Sequence, residues 1–348
     1  MKKPRAIDLF SGCGGLTLGL KQAGFRVIGA IENDPLAVET YRANHKRVVI
    51  WDKDIRKVPA TEVMRKLKLR PGELELLAGC PPCQGFSTMT TLNGRIGQDK
   101  QNDLVFEFLR FVRAMRPKAV MLENVPKLAK NRRFKKLRAK LQRLGYKVNH
   151  NILNAANYGV PQRRRRLILL AGRGARIPFA STARRGRTVE EAFAKLGRRA
   201  QKDLLHNLPE KRTERVSKLI RKIPRDGGSR LDLDRSQQLK CHRNCDGFRD
   251  VYGRMSWKDV SPTITGGCCN PSKGRFLHPH AHRCISLREA ALLQAFPMDY
   301  FFSIKHGKFA AAQMIGNALP PEFIKRHASS IKRHLTSCRN EFIPKVNR

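Results

Sequence analysis

The stretch GCPPCQGFS, residues 79 to 87, carries two thiols at C-x-x-C spacing. A redox pair or half a metal site would use both Cys80 and Cys83, whereas a nucleophile needs one thiol, and Cys83, preceded by Pro82, suits that role. A second reactive candidate is Glu123. From Arg110 to Arg176 the chain holds 20 Lys and Arg but this single carboxylate, in Glu123-Asn124-Val125. An acid isolated in such a field is either half of a structural ion pair or a group that a reaction uses. A third feature is the turn Ser11-Gly12-Cys13-Gly14-Gly15, where glycines let backbone N–H groups approach a ligand. Thr17 stands where G-x-G-x-x-G would have its third glycine, so the turn alone fits a tight bend equally well. Glu32 follows Gly12 by 20 residues, the separation at which an acid can hydrogen-bond a ribose hydroxyl. Together the turn and the acid favour an adenosine-containing cofactor.

The run Gln162-Arg163-Arg164-Arg165-Arg166 precedes an apolar segment. Strand alternation would send Arg164 and Arg166 to one face and Arg163 and Arg165 to the other, so one pair can face a site while the other meets solvent or phosphate. Cys241, His242, Cys245, Cys268, Cys269, Cys284, His278, His280 and His282 raise the question of zinc, but they form no paired C-x-x-C knuckles, and no metal site is expected.

Positioning these groups falls to short apolar runs that end in loop residues: AIDLF at 6 to 10, VIGAI at 27 to 31, LELLAG at 74 to 79, KAVML at 118 to 122 and RLILLAG at 166 to 172. Each is long enough for one buried parallel strand. Helical patterns lie between several of them. The clearest is Phe134, Leu137, Leu141 and Leu144, an apolar stripe with Lys and Arg opposite. Alternating strands and helices imply an α/β sheet whose ligands bind beyond the strands' carboxyl ends. The residues there are SGCGG, Glu32, CPPCQ and Glu123. Beyond about residue 175 Gly, Pro, Arg and Ser become frequent, which reads as a second domain over 176–307. Residues 308–348 return to helical periodicity and are expected to rejoin residues 1–175.

The 71 Lys and Arg against 28 Asp and Glu give a net charge of +43, the electrostatic footprint of a polyanion binder, with nucleic acid the leading partner. A membrane partner is not expected, since no amphipathic anchor, lipidation motif or spanning apolar stretch is present. The basic, partly apolar start mimics a secretory signal, but Asp8 and four glycines interrupt it. Nine irregularly spaced cysteines argue against a disulfide framework and for a reducing cytoplasm.

Taken in order, the motifs resemble those of the DNA (cytosine-5) methyltransferases along nearly the whole chain. DLFSGCGGLTLGL at 8 to 20 is similar to that family's first cofactor motif, PPCQGFS at 81 to 87 to its nucleophile motif and ENV at 123 to 125 to its acid motif. PQRRRR at 161 to 166, SLREAALLQAFP at 286 to 297 and GNALP at 316 to 320 resemble the remaining blocks. The resemblance implies a Rossmann-like S-adenosylmethionine-dependent methyltransferase sheet with a smaller target-recognition domain. It implies methyl transfer to C5 of a cytosine flipped out of a specific double-stranded DNA sequence, in a bacterial or archaeal cytoplasm. It assigns Cys83 as the nucleophile that adds to C6, Glu123 as the acid contacting N3 and the exocyclic amine, and Arg164 and Arg166 as the arginines that hold the base carbonyl and order the site. For S-adenosyl-L-methionine it assigns Phe10, Gly12, Gly14, Gly15, Glu32, Asn33, Asp54, Ile55, Pro82, Leu104 and Asn317. It further implies a monomer, with a cognate restriction endonuclease as the other protein acting on the same site. Asn33 departs from the aromatic residue frequent in the family, and the charge of +43 exceeds what the reaction needs. A tRNA methyltransferase of the same fold and a catalytically silent DNA-binding protein are the competing readings. The long second domain argues against the first, and the joint presence of Cys83, Glu123 and Arg166 against the second.

Overall fold

The computed structural model describes residues 2–82, 103–243 and 247–340. Two compact units divide the chain: residues 1–154, 165–182 and 321–348 form unit 1, and residues 155–164 and 183–320 form unit 2.

In unit 1 the five apolar runs become β1 (Arg5–Leu9), β2 (Arg26–Glu32), β4 (Leu76–Gly79), β5 (Ala119–Asn124) and β7 (Arg165–Arg173), with β3 (Val49–Asp52) and β6 (Tyr146–Asn154) in addition. The sheet order is β3-β2-β1-β4-β5-β7-β6. Strands β1 to β5 pair in parallel, while β7 runs antiparallel to both neighbours. The expectation that RLILLAG forms a parallel strand is therefore corrected. Residues 155–164, which join β6 to β7, contain no crossover helix to carry the chain back to the sheet's other end, so β7 must return antiparallel. The sheet order reverses between β1 and β4, the position at which a doubly wound sheet opens a crevice beyond its strands.

The helices of unit 1 are α1 (Gly15–Gln22), α2 (Pro35–Asn44), α3 (Ala60–Lys66), α4 (Leu104–Met115), α5 (Arg132–Arg143) and, from the end of the chain, α11 (Pro321–Asn340). Alternation puts Ile7 and Leu9 on one sheet face, in a core shared with Val63 of α3, Phe108 and Phe111 of α4, and Phe134, Leu137 and Leu141 of α5. Phe108, Phe111 and Phe134 are fully buried, each stabilising the fold by roughly 1.5–3 kcal/mol. The stripe read from sequence is thus the buried face of α5, and its opposite face exposes Arg132, Lys135, Lys136, Lys140 and Arg143.

Unit 2 contains α6 (Val189–Phe193), α7 (Leu204–Asn207), α8 (Glu214–Lys222), α9 (Leu287–Leu293) and α10 (Gly307–Asn317) joined by long loops. A buried arginine organises those loops. Arg254 donates to the carbonyls of Ile220, Ile223, His278 and Ala281 at 2.7–3.2 Å, satisfying backbone oxygens that no strand or helix satisfies.

The chain passes between the units at 154/155, 164/165, 182/183 and 320/321, where the sequence sets 175/176 and 307/308. Residues after 175 stay with unit 1 because the Pro178 carbonyl accepts from Ser330 Oγ at 2.8 Å and Ala180 N–H reaches His327 Nδ1 at 3.3 Å, both on α11. Helix α10 stays with unit 2 because it packs on α9.

Candidate functional site

The loop after β1 turns sharply, with positive φ at Phe10 (60°), Gly12 (52°) and Gly14 (95°). Its shape is fixed by the next strand: Ser11 N–H donates to the Ile31 carbonyl at 3.1 Å, and Gly12 N–H donates to Glu32 Oε2 at 2.8 Å. Glu32 Oε1 accepts from Asn33 N–H and Asp34 N–H at 2.8 and 2.9 Å. The acid and the loop chosen from their spacing are therefore in direct contact. A Cβ on Gly12 would meet nothing within 4 Å, so open space lies beside the loop. After β3, Asp54 caps a 3-10 turn by accepting from Arg56 N–H at 2.9 Å, Ile55 is buried, and the Ile55 carbonyl accepts from Arg110 at 2.7 Å. Asn33 and Pro82 are exposed, and Leu104 opens α4 at the edge of the core.

Beneath the loop lies a buried polar network that the sequence did not reveal. Thr17 Oγ1 donates to Asp8 Oδ2 at 2.7 Å and lies 2.8 Å from the Tyr41 hydroxyl, while His45 Nε2 sits 3.2 Å from the Gly14 carbonyl. Burial raises the Asp8 carboxyl from 3.8 to about 7, against the Thr17 hydrogen bond and with help from Glu32. Burial likewise lowers His45 to about 4, aided by Lys21. Thr17, standing where a third glycine would be, is thus the residue that ties α1 to β1.

At the end of β5, Arg166 Nε on β7 approaches Glu123 Oε1 to 2.8 Å, with both side chains largely shielded. Such a charge-assisted contact orients the carboxylate. Asn124 Nδ2 donates to the Pro81 carbonyl at 2.9 Å, anchoring the start of the PPCQ loop to β5. Cys80 N–H donates to the Leu9 carbonyl, and burial, reinforced by the Glu123 carboxylate, pushes the Cys80 thiol well above its ordinary range. A thiol held in that state is a poor nucleophile and a poor redox partner. Cys83 itself lies outside the described residues, as does Cys245.

Within unit 2, one hydrogen-bond network joins the remaining motif blocks. Arg164 donates to the carbonyls of Ile264 and Gly316, both at 3.0 Å. Gln162 accepts from Ile264 N–H at 2.9 Å and donates to Gln294 Oε1 at 2.9 Å, and Gln294 Nε2 donates to the Ile315 carbonyl at 2.7 Å. Asn317 Oδ1 accepts from Gln313 at 3.1 Å and stays exposed at the end of α10. Arg163 and Arg165 are exposed and Arg164 and Arg166 are not, as alternation requires. Arg164, however, precedes β7 and spends its guanidinium on backbone carbonyls of its own unit. The signal for Gln162 and Gln294 was present in sequence, as uncharged polar residues inside otherwise apolar or motif positions. Among the described residues, no three His, Cys, Asp or Glu side chains converge as a metal site would require.

A family model described as C-5 cytosine-specific DNA methylase matches residues 4–333. The type II methylase M.HgiDII of Herpetosiphon aurantiacus is 37% identical over 345 residues, covering 94% of this chain and 95% of that protein. The type II methyltransferase M1.HphI of Haemophilus parahaemolyticus is 32% identical, covering 95% of this chain and 87% of that protein. Among solved structures, a prophage-encoded DNA modification methyltransferase from E. coli superposes with a TM-score of 0.74 at 22% identity, covering 96% of this chain and 100% of the other, a likeness of fold.

Proposed function

Because the chain belongs to the C-5 cytosine-specific DNA methylase family, and is therefore a DNA (cytosine-5)-methyltransferase that uses S-adenosylmethionine, we propose which of its residues perform the reaction. The observation that carries the reading is the Arg166–Glu123 contact at the carboxyl end of β5, beside the loop that leads from Pro81 toward Cys83.

The cofactor's place is the end of β1 and β2, where the residues fit it: an open space beside Gly12, the Glu32 carboxylate already fixed by three N–H groups, and Asp54 and Ile55 after β3. Bound there, S-adenosylmethionine supplies an electrophilic methyl group. Glu32 would accept from the ribose hydroxyls, and Pro82 and Leu104 would complete the pocket in unit 1; Asn317, in unit 2, is assigned to the same cofactor by the resemblance of its GNALP block. Cys83 adds as thiolate to C6 of the cytosine, which makes C5 a carbon nucleophile. Glu123, oriented by Arg166, contacts N3 and the exocyclic amine and stabilises charge that develops on the ring. Once C5 is methylated, a water takes its proton, the C–H electrons form the C5–C6 double bond, and the S–C6 pair returns to Cys83 as thiolate. Arg164 acts by fixing the Ile264 and Gly316 carbonyls, and so the positions of the blocks that flank them. The target base must leave the duplex stack to be reached, at a cost of a few kcal/mol that backbone contacts offset.

Unit 2 is assigned to recognition of a specific duplex sequence, with the protein acting as a monomer. Relatives bearing type II names support a cognate restriction endonuclease acting on the same site. No helix among the described residues is long and apolar enough to cross a membrane. Bisulfite sequencing of a plasmid from an expressing host tests the reading. Cytosines in one sequence context are expected to be protected, Cys83→Ser to abolish protection while leaving DNA binding measurable, and Cys80→Ser to retain it. Loss of protection in Cys80→Ser alone would restore the paired-thiol chemistry.

A further inference from the structure

Helix α4 packs beside α5, and the seam between them is cationic along its length. Near its middle a cavity of about 520 Å³ has Phe106 and Leu109 in its wall and Arg110, Arg113 and Lys140 around it. A second cavity, of about 200 Å³, continues along the same helices and is lined by Arg116, Arg143 and Arg173 over Val112, Leu144 and Tyr146. Glu107 is the one acid lining either cavity, and Arg110 neutralises it at 2.7 Å. Among the described residues, Arg113, Arg116, Lys140, Arg143 and Arg173 form no ion pair; Lys140 lies over the Phe106 ring at 5.2 Å.

The second cavity lies at the end of the sheet opposite Glu123. Arg116 precedes β5, Arg143 precedes β6, and Arg173 ends the antiparallel β7, so all three gather at the amino-terminal edge of β5. That edge is about 13 Å from Glu123 at the strand's other end. Three guanidinium groups gathered without a carboxylate repel one another unless an anion joins them, and their forked donors match phosphate oxygens. Arg110, Arg113 and Arg116, the last capping the end of α4, recur every three residues and span about 9 Å along the helix axis. A line suits a chain of phosphates better than a single ion.

We propose that the α4–α5 seam, ending in the Arg116–Arg143–Arg173 cluster, is a second, sequence-independent binding track for the phosphate backbone of duplex DNA beyond the methylated site. It accounts for part of the charge that the reaction does not need. Such a track would hold flanking or neighbouring duplex while leaving the chemistry at the other edge unchanged.

The test measures binding of the full-length protein to poly(dA)·poly(dT), which carries a duplex backbone but no cytosine, as a function of salt. Each neutralised phosphate contributes about 0.9 to the slope of log affinity against log salt. Replacing Arg116, Arg143 and Arg173 together by Gln is expected to lower the slope by about 2.7, so that affinity lost over a fourfold rise in salt shrinks by roughly 40-fold. Methylation of plasmid at saturating concentration should be unchanged, which also reports that the variant is folded, and the triple Lys variant should restore the slope. An unchanged slope would overturn the proposal. So would an equal fall on replacing the exposed Lys46, Arg47 and Arg65 by Gln, since the effect would then be one of total charge. Absence of methylation by the parent protein would count against the residue roles proposed above and not against the track, because binding is read separately.

Discussion

Asp8→Asn isolates the protonation of the buried carboxyl beneath the cofactor loop. In the folded protein the group is raised from 3.8 to about 7, chiefly by burial. At 1.36 kcal/mol per pH unit this displacement corresponds to up to about 4 kcal/mol. Because the folded value lies above the unfolded one, the folded state keeps a proton that the unfolded state releases. Stability associated with Asp8 is therefore fully present below pH 3.8, falls as the pH rises through the window from 3.8 to about 7, and is gone above it. The amide introduced by the substitution has no proton to lose and can still accept from Thr17 Oγ1. Urea unfolding of the two proteins should give near-equal stabilities at pH 4 and an advantage to Asp8→Asn that grows to as much as about 4 kcal/mol at pH 8. The Glu32 carboxylate, which helps to raise Asp8, meets no charge in Asp8→Asn, so its repulsion is part of the difference. Burial holds Tyr41 well above its ordinary range, and Cys13 at about 12, so neither titrates in the window. His45, lowered to about 4, titrates at its lower edge in both proteins. A stability difference that is flat from pH 4 to pH 8 would refute the claim that Asp8 is ionised at a cost.

Gly316→Ala should lower stability by about 3 kcal/mol, because a Cβ there would stand 2.2 Å from the Thr265 carbonyl carbon and 2.3 Å from the Gly266 nitrogen, both backbone atoms; a thermal melt shifted by less than about a degree would show that the two segments are not held together. Arg254→Met removes a guanidinium that serves four backbone carbonyls, and chemical denaturation should show a loss of at least about 3 kcal/mol as those oxygens are left buried and unpaired. The Cys13 thiol, raised to about 12 by burial, and that of Cys80, raised by burial and the Glu123 carboxylate, should resist iodoacetamide at pH 8 in the folded protein and react once it is unfolded, as read by mass spectrometry.

Contiguous apolar runs made five of the strands legible in the sequence. The other two were hidden by their composition. β3 is VIWD, whose apolar run Val48-Val49-Ile50-Trp51 is only four residues long, and β6 is YKVNHNILN, whose apolar residues are broken up by polar ones; both lie at an edge of the sheet, where one flank needs no partner. The reversal of β7 was equally hidden, since strand direction depends on what joins two strands rather than on either strand's residues. At the site, the Gly12–Glu32 contact could be anticipated from a spacing of 20 residues because a strand, helix and strand of fixed length return the chain to the same end of the sheet. The Asp8–Thr17–Tyr41 network could not, because it joins residues from three elements whose individual sequences look like an ordinary strand and two ordinary helices.

The same distinction applies to charge. Residues 110–176 announce their excess of Lys and Arg to anyone who counts them, and counting says only that polyanions are attracted. Whether cations converge depends on packing. The apolar face of α5 fixes its rotation on the sheet and so aims Lys140 and Arg143 toward α4, whose own buried face aims Arg110 and Arg113 back toward α5. Arg173 joins them only because β7 runs antiparallel and brings its end to the start of β5. Had RLILLAG formed a parallel strand, Arg173 would lie at the carboxyl edge with Glu123, and the cluster would have two members. The direction of one strand thus decides whether the chain's excess charge gathers at a second edge or is spread over its surface.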